Sequence, residues 1–261
     1  MFIPEGILLN GIEVFLLIFV RMTGLFVIAP IFGRRNIPVY MKIGFSLMLA
    51  LILVNTIKVQ ELDFGSIYEY FVLVLKEFVV GITIGYVSYL IFTAIYIAGQ
   101  LIDMQVGFGV VNVIDPLSNI QVPVTSTFYF IFCMLVFLIC NGHHILIRAL
   151  FYSYNYIPMG GAVFGNDLLN DIVRVFGNIF LLSFKISAPI LAAILISDVA
   201  LGIISKTVPQ LNVFVVGMPL KIILGLAVMV LTLPMFISLI ETLIKGMDSE
   251  MYTFLKDMGP K

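Results

Sequence analysis

Six stretches of the chain are apolar at almost every position, and polar residues gather in the gaps between them. They cover 7–29, 43–57, 70–98, 128–147, 175–201 and 213–244. A strand of a membrane barrel alternates apolar and polar faces, whereas a run such as 128–140 is apolar all round. Backbone groups in hydrocarbon must bond within their own segment, so these stretches are predicted to be helices. The pattern predicts an all-α membrane protein of about six hydrophobic helices arranged in hairpins. One irregular, re-entrant loop lies before the fourth helix.

The breaks carry their own signals. Residues 30–38 form a basic turn in which Arg34 and Arg35 lie between Pro30 and Pro38. Residues 58–70 form an acidic linker with Glu61, Asp63 and Glu69, and Pro158, Gly160 and Gly161 open a long polar connection. Pro209 lies in the stretch 205–212, which closes a hairpin between the last two segments. Segment 43–57 has 15 residues, about 22 Å of helix, against a hydrocarbon layer of about 30 Å. Either Lys42 and Lys58 snorkel outward or this helix is not a simple span.

Composition sharpens the class. Of 261 residues, 61% are hydrophobic and 11% charged, well under the roughly 25% of a soluble domain. Lys+Arg is 14 and Asp+Glu 15, for a net charge of −1, so no basic face for nucleic acid exists. A soluble enzyme and a disordered tail are excluded as well. Charge-free intervals of 25 residues after Glu77, 32 after Asp115 and 19 after Lys221 can each hold a spanning helix. The N-terminus lacks the positive region and cleavage site of a secretory signal and is expected to be retained. Cys133 and Cys140 lie in an apolar run and read as small buried hydrophobes.

Orientation is less legible. Arg34, Arg35 and Lys42 would hold the first loop in the cytoplasm. Strict alternation then returns 99–127 to the same side, yet that stretch has Asp103 and Asp115 and no Lys or Arg. The failure of the positive-inside rule there points away from a conventional six-span bundle.

Seven charges fall inside the apolar segments: Glu13, Arg21, Lys76, Glu77, Lys185, Asp198 and Lys221. Centred in lipid they would cost on the order of 20 kcal/mol together, so they must pair or face water. One reading is an ion relay or the lining of an aqueous conduit. The other is structural: pairs that fix helix register within or between subunits. Lys76 and Glu77 are adjacent and point about 100° apart on a helix, so each needs a partner elsewhere, which favours packing against other chains.

Residues 99–123 are apolar but interrupted by Gly107, Gly109, Pro116 and Pro123. Irregular backbone at membrane depth persists when buried in protein or lining a cavity. A re-entrant gate and a long packed loop both satisfy that rule. His143-His144 lacks the spacing and the third ligand of a zinc site and reads as interfacial, next to Arg148. No metal or cofactor is expected. Gly81 and Gly85 form a small-xxx-small face for close helix packing, and Tyr152, Tyr154 and Tyr156 suggest an interfacial belt. No catalytic constellation is found, and the chain is not expected to be an enzyme.

Five stretches carry a resemblance: Arg21-Met22 through Ala29-Pro30; Lys76-Glu77 into Gly81 and Gly85; Gly99-Gln100 through Gln105-Val106-Gly107 to Asp115-Pro116; Phe137 to Asn141-Gly142-His143; and Pro209-Gln210-Leu211-Asn212 through Gly217 and Pro219. In this order the chain resembles the FliR family of flagellar and virulence type III export gates.

The resemblance implies an inner-membrane location in the flagellar basal body. It implies FliP-like and FliQ-like partners, FlhB-like and FlhA-like neighbours, and unfolded export substrates. Residues 1–174 would be the FliP-like portion with a plug loop at 99–127, 175–244 a FliQ-like hairpin, and 245–261 a short polar tail. The plug would comprise Gly107, Phe108, Gly109, Val110, Val111, Asn112, Val113, Ile114, Asp115 and Pro116. Lys206, Pro209 and Gln210 would form the hairpin tip. A reading from a different class is a small secondary transporter, or ion-conducting protein, using Lys76, Glu77 and Asp198.

Overall fold

The structure, a computed structural model, describes residues 5–34, 36–57, 66–108, 123–210 and 212–260. Among the described residues it holds seven helices and no strands. They are α1 Glu5–Ile28, α2 Val39–Val54, α3 Ile67–Val106, α4 Val124–Ile139, α5 Gly142–Tyr156, α6 Asn166–Thr207 and α7 Val213–Asp257. The all-α expectation holds. Four helices (α1, α3, α6 and α7) are long and apolar enough to cross a membrane, and α4 with α5 would make a fifth, broken by a bend of 66°. The 16 residues of α2 span about 24 Å, so this helix stays as short as its segment predicted.

Four features depart from the hydrophobic pattern. The fourth segment, 128–147, is not one helix. Asn141 takes a left-handed conformation (φ 56°) that asparagine tolerates better than most residues, and its carbonyl receives the His144 amide at 2.9 Å as α5 starts. The third helix continues through 99–106, which was expected to be irregular. It stops at Gly107, whose φ of 100° suits glycine alone. Residues 124–127, also assigned to the loop, already belong to α4. The polar tail is helical too: Met247, Met251, Phe254 and Leu255 are buried, and their spacing of four, three and one lines one face of α7.

The chain divides into two compact units. The first comprises Met1–Leu90, Asn141–Arg174 and Ile244–Lys261; the second comprises Ile91–Cys140 and Val175–Leu243. In the first unit Leu17, Ile18, Met22, Leu146 and Leu150 join the buried face of α7 in the core. There the Val163 amide donates to the Met258 carbonyl at 2.9 Å. In the second, the Phe92 ring meets that of Phe137 at 5.5 Å and Tyr129 stacks on Phe236 at 4.3 Å.

Candidate functional site

The first unit is organised by a buried charge pair that glycines make possible. Glu77, Gly81 and Gly85 follow one another at intervals of four and so share a face of α3. A Cβ on Gly81 would lie 2.0 Å from the Arg21 carbonyl oxygen, and one on Gly24 would lie 2.5 Å from that of Phe78. The backbones of α1 and α3 therefore touch here, one turn from Glu77. The Arg21 Nε donates to Glu77 Oε2 at 2.5 Å, with both side chains wholly buried.

The remaining guanidinium donors are also engaged. Arg21 Nη1 donates to Ser153 Oγ at 2.9 Å and Nη2 to the Ile157 carbonyl at 3.2 Å. The guanidinium carbon lies 3.9 Å from the centre of the Tyr154 ring. Burying two ions costs several kcal/mol each unless their partners are nearly complete, and this set nearly completes them. The result is a dry lock joining α1, α3 and α5.

Lys76 and Glu77 both find partners within this chain. The Gly160 amide donates to Glu77 Oε1 at 2.8 Å, while Lys76 Nζ donates to the Gly160 carbonyl at 3.2 Å. Two diverging side chains thus bracket one residue. Gly160 has φ 73°, a conformation that favours glycine. The apparent break at 157–161 is therefore a receptor for both charges.

In the second unit Asp103 performs a task the sequence reading missed. Its Oδ1 accepts the Thr125 amide at 2.9 Å, and its Oδ2 accepts the amide and hydroxyl of Ser126, each at 3.3 Å. Pro123 occupies the N-cap of α4 and makes no side-chain cap. The last turn of α3 supplies one instead, since a carboxylate suits free amides at a helix start. Gly99 permits the approach: its Cβ would lie 2.3 Å from the Ser126 Cα. The signal was there as an acid upstream of Pro123-Val124-Thr125-Ser126, but Asp103 and Asp115 both stand there and nothing in the chain order singles out Asp103.

Asp198 on α6 pairs with Lys221 on α7. They face a cleft of about 410 Å³ whose wall also includes Val106, Gly107 and Met218. Both side chains keep part of their exposure, 34% for Asp198 and 25% for Lys221. On the isolated chain this pair is therefore open to its surroundings, unlike the sealed Arg21–Glu77 lock.

Residues 12–247 match the family described as bacterial export proteins, family 1. The chain belongs to this family. Flagellar biosynthetic protein FliR of Bacillus subtilis (strain 168) is 42% identical over 212 residues, covering 80% of this chain and 81% of the relative. The protein of that name from Aquifex aeolicus (strain VF5) is 30% identical over 224 residues, 84% and 85% of the two chains. The one from Escherichia coli (strain K12) is 27% identical over 238 residues, 91% and 89%. Neither the family description nor these relatives' names describes an enzyme.

Within this export family member, the residues singled out from sequence fall in different surroundings. Of the seven interior charges, Arg21 and Glu77 are fully buried, Glu13, Lys76, Asp198 and Lys221 are half-buried, and Lys185 is exposed on the isolated chain. Lys76 and Glu77 lie in the first unit and Asp198 in the second. Gly107 and Phe108 follow the end of α3 and close the described stretch; Gly109, Val110, Val111, Asn112, Val113, Ile114, Asp115 and Pro116 lie outside the described residues. Lys206, Pro209 and Gln210 are exposed after Leu201.

Tyr154 is buried under Arg21 instead of joining an interfacial belt. Tyr152 and Tyr156 share the opposite face of α5, four residues apart, and group with Tyr252 at 6.1 and 5.8 Å. Cys133 and Cys140 are free thiols. Among the described residues no cluster of His, Cys, Asp or Glu could hold a metal ion.

Proposed function

We propose that this chain is a structural and gating subunit of a flagellar-type III protein export channel in the bacterial inner membrane. It assembles with FliP-like and FliQ-like subunits, next to FlhB-like and FlhA-like proteins, and unfolded export substrates pass through the portal they form. The observation that carries this reading is the exposed surface of α6. Phe176, Phe180, Phe184, Ile196, Ile203 and Ile204 are all exposed, and Phe176 to Ile204 covers about 42 Å of helix. A hydrocarbon layer of about 30 Å would cover that length only at a tilt of about 45°, beyond the usual range. Neighbouring subunits cover it more economically. Lys185 stands on the same exposed stretch with no ion pair among the described residues, which favours a partner carrying an acid over bare lipid.

In this reading α6 and α7 form the FliQ-like hairpin with Lys206, Pro209 and Gln210 at its tip, and residues 107–116 plug the closed portal. Native mass spectrometry of the chain co-expressed with its FliP-like and FliQ-like neighbours tests the assembly. One copy with several of each partner is expected; a monomer or homo-oligomer that ignores them would overturn it. Deleting 107–116 should leave that complex intact and let ions leak across the membrane, whereas unchanged conductance would oppose the plug. No observation favours a transporter: Glu77 is held by Arg21 and Gly160, and Asp198 by Lys221.

A further inference from the structure

The first unit contains a second cleft, of about 630 Å³, between the end of α2 at Leu53 and Ile57 and the face of α5 that carries Arg148, Phe151, Tyr154 and Asn155. This volume lies in the range of small-molecule sites. Arg148 is exposed there and has no ion pair or hydrogen bond among the described residues. Two other arginines of this unit are paired: Arg21 in its lock, and Arg174 with Asp171 and Glu250 at 3.0 and 3.1 Å. Among the described residues no acidic side chain lines the cleft. Tyr154, which does line it, has a buried hydroxyl without a partner, an uncommon state for such a group.

The surroundings indicate what fills this space. Tyr152, Tyr156 and Tyr252 cluster beside it, with Tyr152 and Tyr156 exposed, and exposed tyrosines gather at the headgroup level of a bilayer. The short α2 ends at the cleft, and its outer face (Phe45, Met48, Leu51 and Ile52) is apolar and exposed. A guanidinium in that position needs water or an anion, because an unpaired arginine is costly in hydrocarbon. We infer that the cleft binds the phosphate of a membrane phospholipid. Arg148 is its forked donor, the Tyr154 hydroxyl and Asn155 amide are second donors, and Leu53, Ile57 and Phe151 pack on the first carbons of the acyl chains. None of the described lining residues is a carboxylate that could receive a headgroup ammonium, so the cleft prefers phosphatidylglycerol to phosphatidylethanolamine.

The test uses the full chain, purified in mild detergent, stripped of lipid and supplied with phosphatidylglycerol, phosphatidylethanolamine or inorganic phosphate. Bound lipid is read by native mass spectrometry and protection by the thermal unfolding midpoint. The wild type should retain one phosphatidylglycerol. Arg148→Gln should weaken retention about tenfold, Tyr154→Phe should weaken it less, and Lys245→Gln, at an exposed lysine, should leave it unchanged. Arg148→Lys keeps the charge without the fork and should fall between wild type and Arg148→Gln; it also serves where Arg148→Gln fails to fold. Equal retention by wild type and the Arg148 variants would overturn the site. Inorganic phosphate protecting as well as the lipid would replace it with a free-anion site.

Discussion

Two ion pairs in this chain look alike in the sequence and differ in kind once folded. Arg21–Glu77 is sealed, with no exposed side-chain surface; both remaining guanidinium nitrogens donate within the chain and the group lies over an aromatic face. Asp198–Lys221 keeps a quarter to a third of its surface open and faces a cleft. What separates them is the backbone around each. At the first pair, glycines on both helices let the main chains touch and squeeze water out. At the second, the atoms nearest a Cβ on Gly225 are side-chain carbons of Val106 and Ile194 and not backbone, and the pair stays partly exposed. A charge in an apolar segment therefore becomes a lock or a wet contact according to the small residues one turn away.

The largest effect should come from breaking the sealed pair on one side only. Arg21→Met leaves Glu77 buried without its cation and should destabilise the chain by about 3–5 kcal/mol, measured by denaturant titration in mild detergent. The double change Arg21→Met with Glu77→Leu should cost far less than the two single losses combined. Additivity would show that the pair is not the unit described here.

Next comes the glycine contact. Gly81→Ala drives a methyl group into the Arg21 carbonyl and should cost about 1–3 kcal/mol. Gly177→Ala, on α6 with nothing within 4 Å of its Cβ, should be neutral or stabilise by up to about 1 kcal/mol. Equal responses at the two positions would remove close backbone approach as the cause. The smallest effect belongs to the open pair: Lys221→Gln should cost under about 1 kcal/mol and lose even that in high salt. A loss as large as that of Arg21→Met would mean that Lys221 is sealed by something else in the assembled protein.

How much of this was legible follows the range of each interaction. Helix identity is written locally, in unbroken apolar runs, so all six hydrophobic segments were found. The small-xxx-small face at Gly81 and Gly85 was also visible, because it repeats within one helix. The bend at Asn141 was hidden, since a single left-handed residue leaves the apolar run undisturbed. The buried stripe of the polar tail, Met247, Met251, Phe254 and Leu255, was hidden because charges on the outer face dilute it. The partners of Lys76 and Glu77 were sought in other chains because nothing local marks Gly160, 83 residues after Glu77, as their receptor. Tyr154 was grouped with its neighbours by proximity, although a helix sends alternate residues to opposite sides.

The carboxylate of Asp103 turns the link between α3 and α4 into a closed ring, since it fastens residue 103 to residue 125, 22 positions on. A ring fastened at its base isolates the helices from whatever it encloses. Closure entropy grows only with the logarithm of length, so doubling the enclosed chain would cost roughly 0.6 kcal/mol. The clasp therefore keeps the two helix ends in register at an entropic cost that hardly depends on how much chain lies between them.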